Sequence, residues 1–229
     1  MKSWCVFFVL LSFSMDAVSQ SAKAYLISAG LDIVGPVGGY REVNQSVFVG
    51  GKISLLTNTR MNDLFVGGSV GYGVMDMRSE TYPGINPFGI ETTYEETLYN
   101  THLYFAADFR YKPFVSQKIQ PYVSGSAGIR RVGTFLVTTD ILDNVQAGSQ
   151  VYEKDWVFQV EGAIGALIPL NNGFFLDISF RYLETQAARH LVRKKVDPPS
   201  GGFFATDYFD LRNTGLQLIG GNLSIVYAF

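Results

Sequence analysis

Residues able to do chemistry are few and scattered. The chain has 2 histidines and 1 cysteine in 229 residues. His190 stands in ARHLVRKK, between the basic residues Arg189, Arg193, Lys194 and Lys195. An imidazole titrates near neutrality, so His190 with a loop serine or carboxylate could serve a lipid-modifying or proteolytic site. The plainer reading is a solvated basic loop, whose four cations suit charge-assisted hydrogen bonds to phosphate groups. His102, in YNTHLYF, is flanked two residues away by Asn100 and Tyr104 and reads as a structural polar contact. Asp140 and Asp143 fall short of the roughly six to eight oxygens that calcium takes. No glycine-rich phosphate cradle, metal-ligand spacing or nucleophile elbow is present, so neither metal nor cofactor is expected.

The remaining charged residues belong to a periodic pattern. In FFLDISFRYLE, residues 174 to 184, Phe174, Leu176, Ile178, Phe180 and Tyr182 alternate with Phe175, Asp177, Ser179 and Arg181. Successive side chains of a strand leave opposite faces, so the two charges share one face and most of the bulky residues the other. Seven further segments repeat this, near 25–34, 47–55, 64–74, 98–111, 121–130, 156–168 and 219–229. One parity is aliphatic at mid-strand and aromatic toward the strand ends. The other is mostly glycine, serine and alanine with isolated charges: Asp32, Asp108, Glu161 and Asp177 against Lys52, Arg110, Arg130 and Arg181. Equal numbers of each sign predict a mutually neutralising network, because an unpaired buried ion is strongly destabilising.

Connections between the segments alternate in length. Short ones lie near 57–63, 113–120 and 170–173, and long ones near 35–46, 76–97, 136–153 and 185–214. Short turns on one side and long loops on the other predict an all-β fold, an eight-stranded antiparallel up-and-down transmembrane β-barrel. A soluble barrel would crowd its polar face with lysine, glutamate and threonine; here the small residues suit a narrow lumen and the greasy face suits lipid. A bilayer core offers no water to unpaired backbone groups, so a sheet crossing it must close on itself. Residues 1–19 carry Lys2, an apolar run from Trp4 to Phe13 that contains Cys5, and the small-x-small ending Ala17-Val18-Ser19. That predicts a cleaved secretory signal, with the barrel domain over 20–229 and no disulfide or thiol chemistry in it. Beyond that segment no apolar run approaches the ~20 residues of a membrane helix. A formal net charge of −2 argues against nucleic acid as a partner.

The ending GGNLSIVYAF, with Leu223, Ile225, Tyr227 and Phe229 at alternate positions, resembles the small outer-membrane barrels of the OmpA/OmpX type. The resemblance implies that Tyr227 and Phe229 are read by the barrel-assembly machinery. It also implies residence in the outer membrane among lipid and lipopolysaccharide. No periplasmic domain is expected after Phe229, so tethering to the cell wall is not implied. Barrel enzymes that deacylate lipid A carry a histidine and a serine two apart, a pattern His102 does not match. The expected function is non-enzymatic, in envelope integrity or in adhesion to an extracellular protein or surface ligand through the loops. The alternatives are the enzyme or protease site near His190 and a narrow small-solute channel.

Overall fold

The computed structural model describes residues 25–42, 44–59, 63–85, 88–113, 118–141, 145–193 and 209–229. The expected signal segment 1–19 lies outside them, as do Asp143, Lys194 and Lys195. Eight strands account for most of the described chain: β1 (Tyr25–Pro36), β2 (Phe48–Asn58), β3 (Leu64–Ile85), β4 (Glu91–Tyr111), β5 (Gln120–Asp140), β6 (Val145–Pro169), β7 (Phe174–Arg193) and β8 (Phe209–Ala228). One four-residue helix, α1 (Gly38–Arg41), interrupts the β1–β2 connection. Each strand pairs antiparallel with its neighbour, and β1 pairs with β8 to close the cylinder.

Closure puts the two parities where the alternation predicted. Phe180 and Ile225 are 53% and 46% exposed, whereas Asp177 and Arg181 are 2% and 4% exposed. Tyr111, Trp156, Phe174, Tyr182, Tyr227 and Phe229 all point outward. At the end bearing the short turns, Phe174, Tyr227, Phe229 and Tyr25 form a stacked row along the rim. The LNNG turn there uses Asn172 (φ 51°) and Gly173 (φ 83°), left-handed positions that asparagine and glycine tolerate.

Strand lengths depart from the sequence reading. Much of what was expected as long loops is strand: β3 and β4 pair as far as Ile85↔Glu91, and β5 and β6 as far as Asp140↔Val145. At the loop end β3 to β6 therefore run on as an extended sheet well past the greasy band. Register shifts interrupt the β3–β4 ladder at Val74/Asp76, the β5–β6 ladder at Thr134/Phe135 and Thr138/Thr139, and the β7–β8 ladder at Glu184/Ala187. A bulge adds one residue to one strand, so every side chain beyond it changes face relative to simple alternation.

The interior is also less polar than the alternating pattern indicated. Leu26, Leu56, Phe65, Tyr122, Leu167 and Val226 form an apolar cluster at the turn end. Val34, Tyr40, Phe48, Met75, Val132, Val157, Leu183, Ala188, Leu216 and Leu218 form a second toward the loop end. Tyr40 reaches it from α1, which tucks into the mouth; Val37 N–H donates to Gln217 O at 2.8 Å on β8.

Candidate functional site

Between the two apolar clusters lies a belt of ions. Arg181 on β7 bridges Asp32 on β1 at 3.1 Å and Glu161 on β6 at 3.3 Å. Lys52 on β2 lies 3.6 Å from the same Glu161 and 3.9 Å from Asp108 on β4. Asn222 on β8 donates to Asp32 at 2.7 Å and receives the Ser224 hydroxyl at 2.5 Å. The sequence Asp108–Lys52–Glu161–Arg181–Asp32–Asn222 thus crosses the lumen and ties six strands together. Nearer the turn end, Arg110 meets Asp177 at 2.9 Å and lies 4.0 Å over the Tyr122 ring, while the Tyr122 hydroxyl donates to Asp177 at 2.6 Å.

Local sequence makes room for these groups. A Cβ on Gly71 would run into the Tyr104 ring, and one on Gly165 would strike Tyr122. These two glycines therefore clear the volume that the tyrosine directly opposite on the neighbouring strand fills. Among the described residues, Lys52, Arg110, Glu161, Asp177 and Arg181 border a polar cavity of about 30 Å³. That is room for one or two waters and not for a solute.

All eight predicted lumen residues lie at this level, but one is paired differently from the expectation. Among the described residues Arg130 meets no carboxylate: its Nε donates to Gln159 Oε1 at 2.6 Å, and its guanidinium sits 4.9 Å over the Tyr104 ring. His102 is buried beside it, stacked at 6.2 Å on Tyr104. Sequence reasoning omitted Tyr122, Gln159 and Asn222 because it followed charge alone; all three share the inward parity and could have been included on that ground. It also omitted Lys112, one residue past β4, which is buried with its ammonium 4.0 Å over the Phe65 ring. Burial lowers the Lys112 pKa to about 8, with the Arg110 charge adding to the effect.

His190 is not a loop residue. It lies in β7, inward and fully buried, with Nδ1 3.1 Å from Ala188 O, Nε2 3.5 Å from Thr214 Oγ1 and its ring edge-on to Tyr40 at 5.5 Å. The cause is the bulge at Glu184/Ala187: Tyr182 points outward, and unbroken alternation would have sent His190 outward too. Around it Asn100 donates to Leu191 O at 3.0 Å and accepts from Thr134 at 2.6 Å. With His190 0% exposed, neither of its ring nitrogens is open to a substrate among the described residues. Arg189 is exposed, but its guanidinium is engaged by Glu153 at 2.9 Å and Asp155 at 3.8 Å. Arg193 ends β7, and nothing further is described of the basic cluster.

A closed cylinder with a greasy exterior and an ion-filled interior is stable only in a bilayer, where every backbone group must be paired within the sheet. No family model matches the chain, and no curated protein matches it in sequence. Among solved structures, a major outer membrane protein from Thermus thermophilus superimposes with a TM-score of 0.54 at 16% identity, over 91% of this chain and 100% of that one. The fold is that of the small outer-membrane β-barrels. Neisserial surface protein A (TM-score 0.46, 11% identity, 91% of this chain and 98% of that one) is also similar. So is Ail of Yersinia pestis, solved with the heparin analogue sucrose octasulfate (TM-score 0.43, 14% identity, 91% and 100%). The turn 170–173 lies at one end of this barrel and the sheet extension of β3 to β6 at the other.

Proposed function

We propose that the barrel is a closed, non-conducting anchor without enzymatic activity, which holds an extended β-surface outside the cell for adhesive contact and envelope integrity. The observation that carries this reading is the layering of the lumen, an ion belt sealed between two apolar clusters. The outer surface supports the second half of it. Ile85, Phe88, Ile90 and Ile141 are exposed at the tip of the extension, beside an open groove of about 690 Å³ bordered by Glu91 and Thr92. These residues lie beyond the reach of the chain's own bilayer, and apolar groups displayed in water mark contact surfaces. Arg189, Arg193, Lys194 and Lys195 would lie over lipopolysaccharide phosphates, and Tyr227 and Phe229 would be the signal taken by the assembly machinery.

Planar-bilayer recording of the purified, folded protein tests the closed lumen. Silence at pH 7 across ±100 mV, on the order of a resting potential, is expected; reproducible conductance steps would make it a channel. Binding of expressing and non-expressing cells to abiotic and animal-cell surfaces tests the adhesive half, and equal binding would remove it.

A further inference from the structure

Two cations stand on the outward face where its apolar band ends, and neither is paired. Arg131 on β5 lies opposite Leu103 on β4 and Trp156 on β6, and Lys154 lies opposite Gly133, one outward position nearer the loop end. Alternation puts both on the lipid side with Ile129 and Trp156, which are exposed. Arg131 is half-buried and Lys154 exposed. Among the described residues neither makes a hydrogen bond, an ion pair or a cation–π contact.

No carboxylate is placed to neutralise them. Toward the turn end the outward neighbours of Arg131 are Phe105, Ile129 and Phe158. On the β4 side Thr101 turns its hydroxyl to Gly133 O at 3.4 Å, and toward the loop end the Phe135 ring leans over Gly133. Glu153 and Asp155, either side of Lys154 in sequence, leave the opposite face and hold Arg189, at 2.9 and 3.8 Å.

The height is that of a headgroup. Val123, paired with Tyr111 at the turn end, precedes Arg131 by eight residues on β5. That is ~26 Å of strand at ~3.3 Å per residue, or about 20 Å along the axis at a tilt of ~40°. An arginine stem extended toward the loop end carries its guanidinium across the rest of an apolar band about 25 Å tall. Tryptophan, here Trp156, is a residue type that marks this boundary.

We propose that Arg131 and Lys154 together hold the phosphate of an anionic lipid headgroup in the leaflet at the loop end. Diagonal neighbours on one face of a sheet lie about 7–8 Å apart, so the two charges repel when nothing stands between them. A shared phosphate reverses that: the guanidinium donates two parallel hydrogen bonds and the ammonium adds a point charge. Free phosphate would have to enter the headgroup layer to reach this face, whereas a lipid phosphate resides in it. The inference rests on the lipid-facing exterior and is independent of the adhesive and closed-lumen readings.

Trp156 reports on the site directly. The chain has 2 tryptophans, so Trp4→Phe in the full chain leaves Trp156 alone. The folded barrel is reconstituted in phosphatidylcholine, and quenching of Trp156 by phosphatidic acid with brominated acyl chains is compared with quenching by brominated phosphatidylcholine. A preference of about fivefold or more for phosphatidic acid is expected, the scale of one cation against an anionic lipid surface. Arg131→Gln with Lys154→Gln is expected to remove the preference while the heat-induced gel shift of the folded barrel persists. Arg131→Lys is expected to keep part of it, and Lys118→Gln, an exposed cation near the turn end, to leave it unchanged. A preference that survives in the double glutamine variant overturns the proposal. So does one that inorganic phosphate abolishes and chloride of equal ionic strength does not, since the site would then take the free ion. Equal quenching by both lipids in the parent also overturns it and leaves the lipid-facing exterior standing; no quenching by either would bring down that exterior as well.

Discussion

Asp177 takes two donors at once, the Arg110 guanidinium at 2.9 Å and the Tyr122 hydroxyl at 2.6 Å, in a position only 2% exposed. Removing one member of such a pair leaves the other charge buried and alone, which typically costs about 3–5 kcal/mol. Asp177→Asn is therefore expected to lower the stability of the refolded barrel by that order, read as a shift of the urea midpoint on unheated gels. Replacing both partners, Arg110→Met with Asp177→Leu, is expected to recover most of the loss, since two apolar groups strand no charge. Recovery in the double variant no greater than in the single one would show that the pair is not the source. Lys112 lies outside the strands and gives a pH signature. Its folded pKa of about 8 is below its ordinary 10.5, so between those values the unfolded chain holds the extra proton and stability rises with pH. Lys112→Met is expected to flatten that rise and to be more stable than the parent at neutral pH; an identical slope in both would sink the assignment.

Bulges govern how the elements depart from simple alternation. At Glu184/Ala187 the Thr185 hydroxyl accepts from Leu216 N–H at 3.0 Å and donates to Gln186 O at 2.7 Å, so one side chain satisfies backbone groups that the ladder leaves over. Thr185→Val strands the Leu216 N–H, a loss of about 1–3 kcal/mol. Faster amide exchange is expected at Leu216 and its neighbours on β8, and unchanged protection there would contradict the assigned role. These bulges also mark where the sequence stops being readable. Up to Val74 and Tyr182 the period of two assigns faces correctly, and from it the eight strands, the belt residues and the lipid-facing aromatics follow. Past the shifts the same arithmetic puts Asp76 and His190 on the wrong side, because one inserted residue leaves no compositional trace. Loop-like composition misled in a similar way. The threonine- and glutamate-rich stretch of β4 is strand because β3 and β5 pair it on both sides, a tertiary effect that outweighs propensity. The inward apolar residues at the strand ends, such as Leu26, Val226 and Leu183, escaped because they look the same as the outward ones and only register distinguishes them.

For the whole molecule, the sealed lumen and the greasy exterior follow from one orientation of the sheet. The ion belt ties β1, β2, β4, β6, β7 and β8 across the interior, so the groups proposed to close the lumen also cross-link the barrel. At the loop end β3 to β6 run on as a sheet past the last pairs of the β2–β3 and β6–β7 ladders, and this extension is the part of the molecule proposed to meet another surface. The orientation is tested most directly by spin labels placed singly at Phe180, Ile225, Ser179 and Ser224 in the lipid-reconstituted barrel, with relaxation read against oxygen, which concentrates in lipid, and against a water-soluble nickel complex. The expected result is strong oxygen relaxation at 180 and 225 and shielding from both reagents at 179 and 224. Nickel access at 179 and 224 would mean an open aqueous lumen, and oxygen access there with shielding at 180 and 225 would mean that the sheet is inside out.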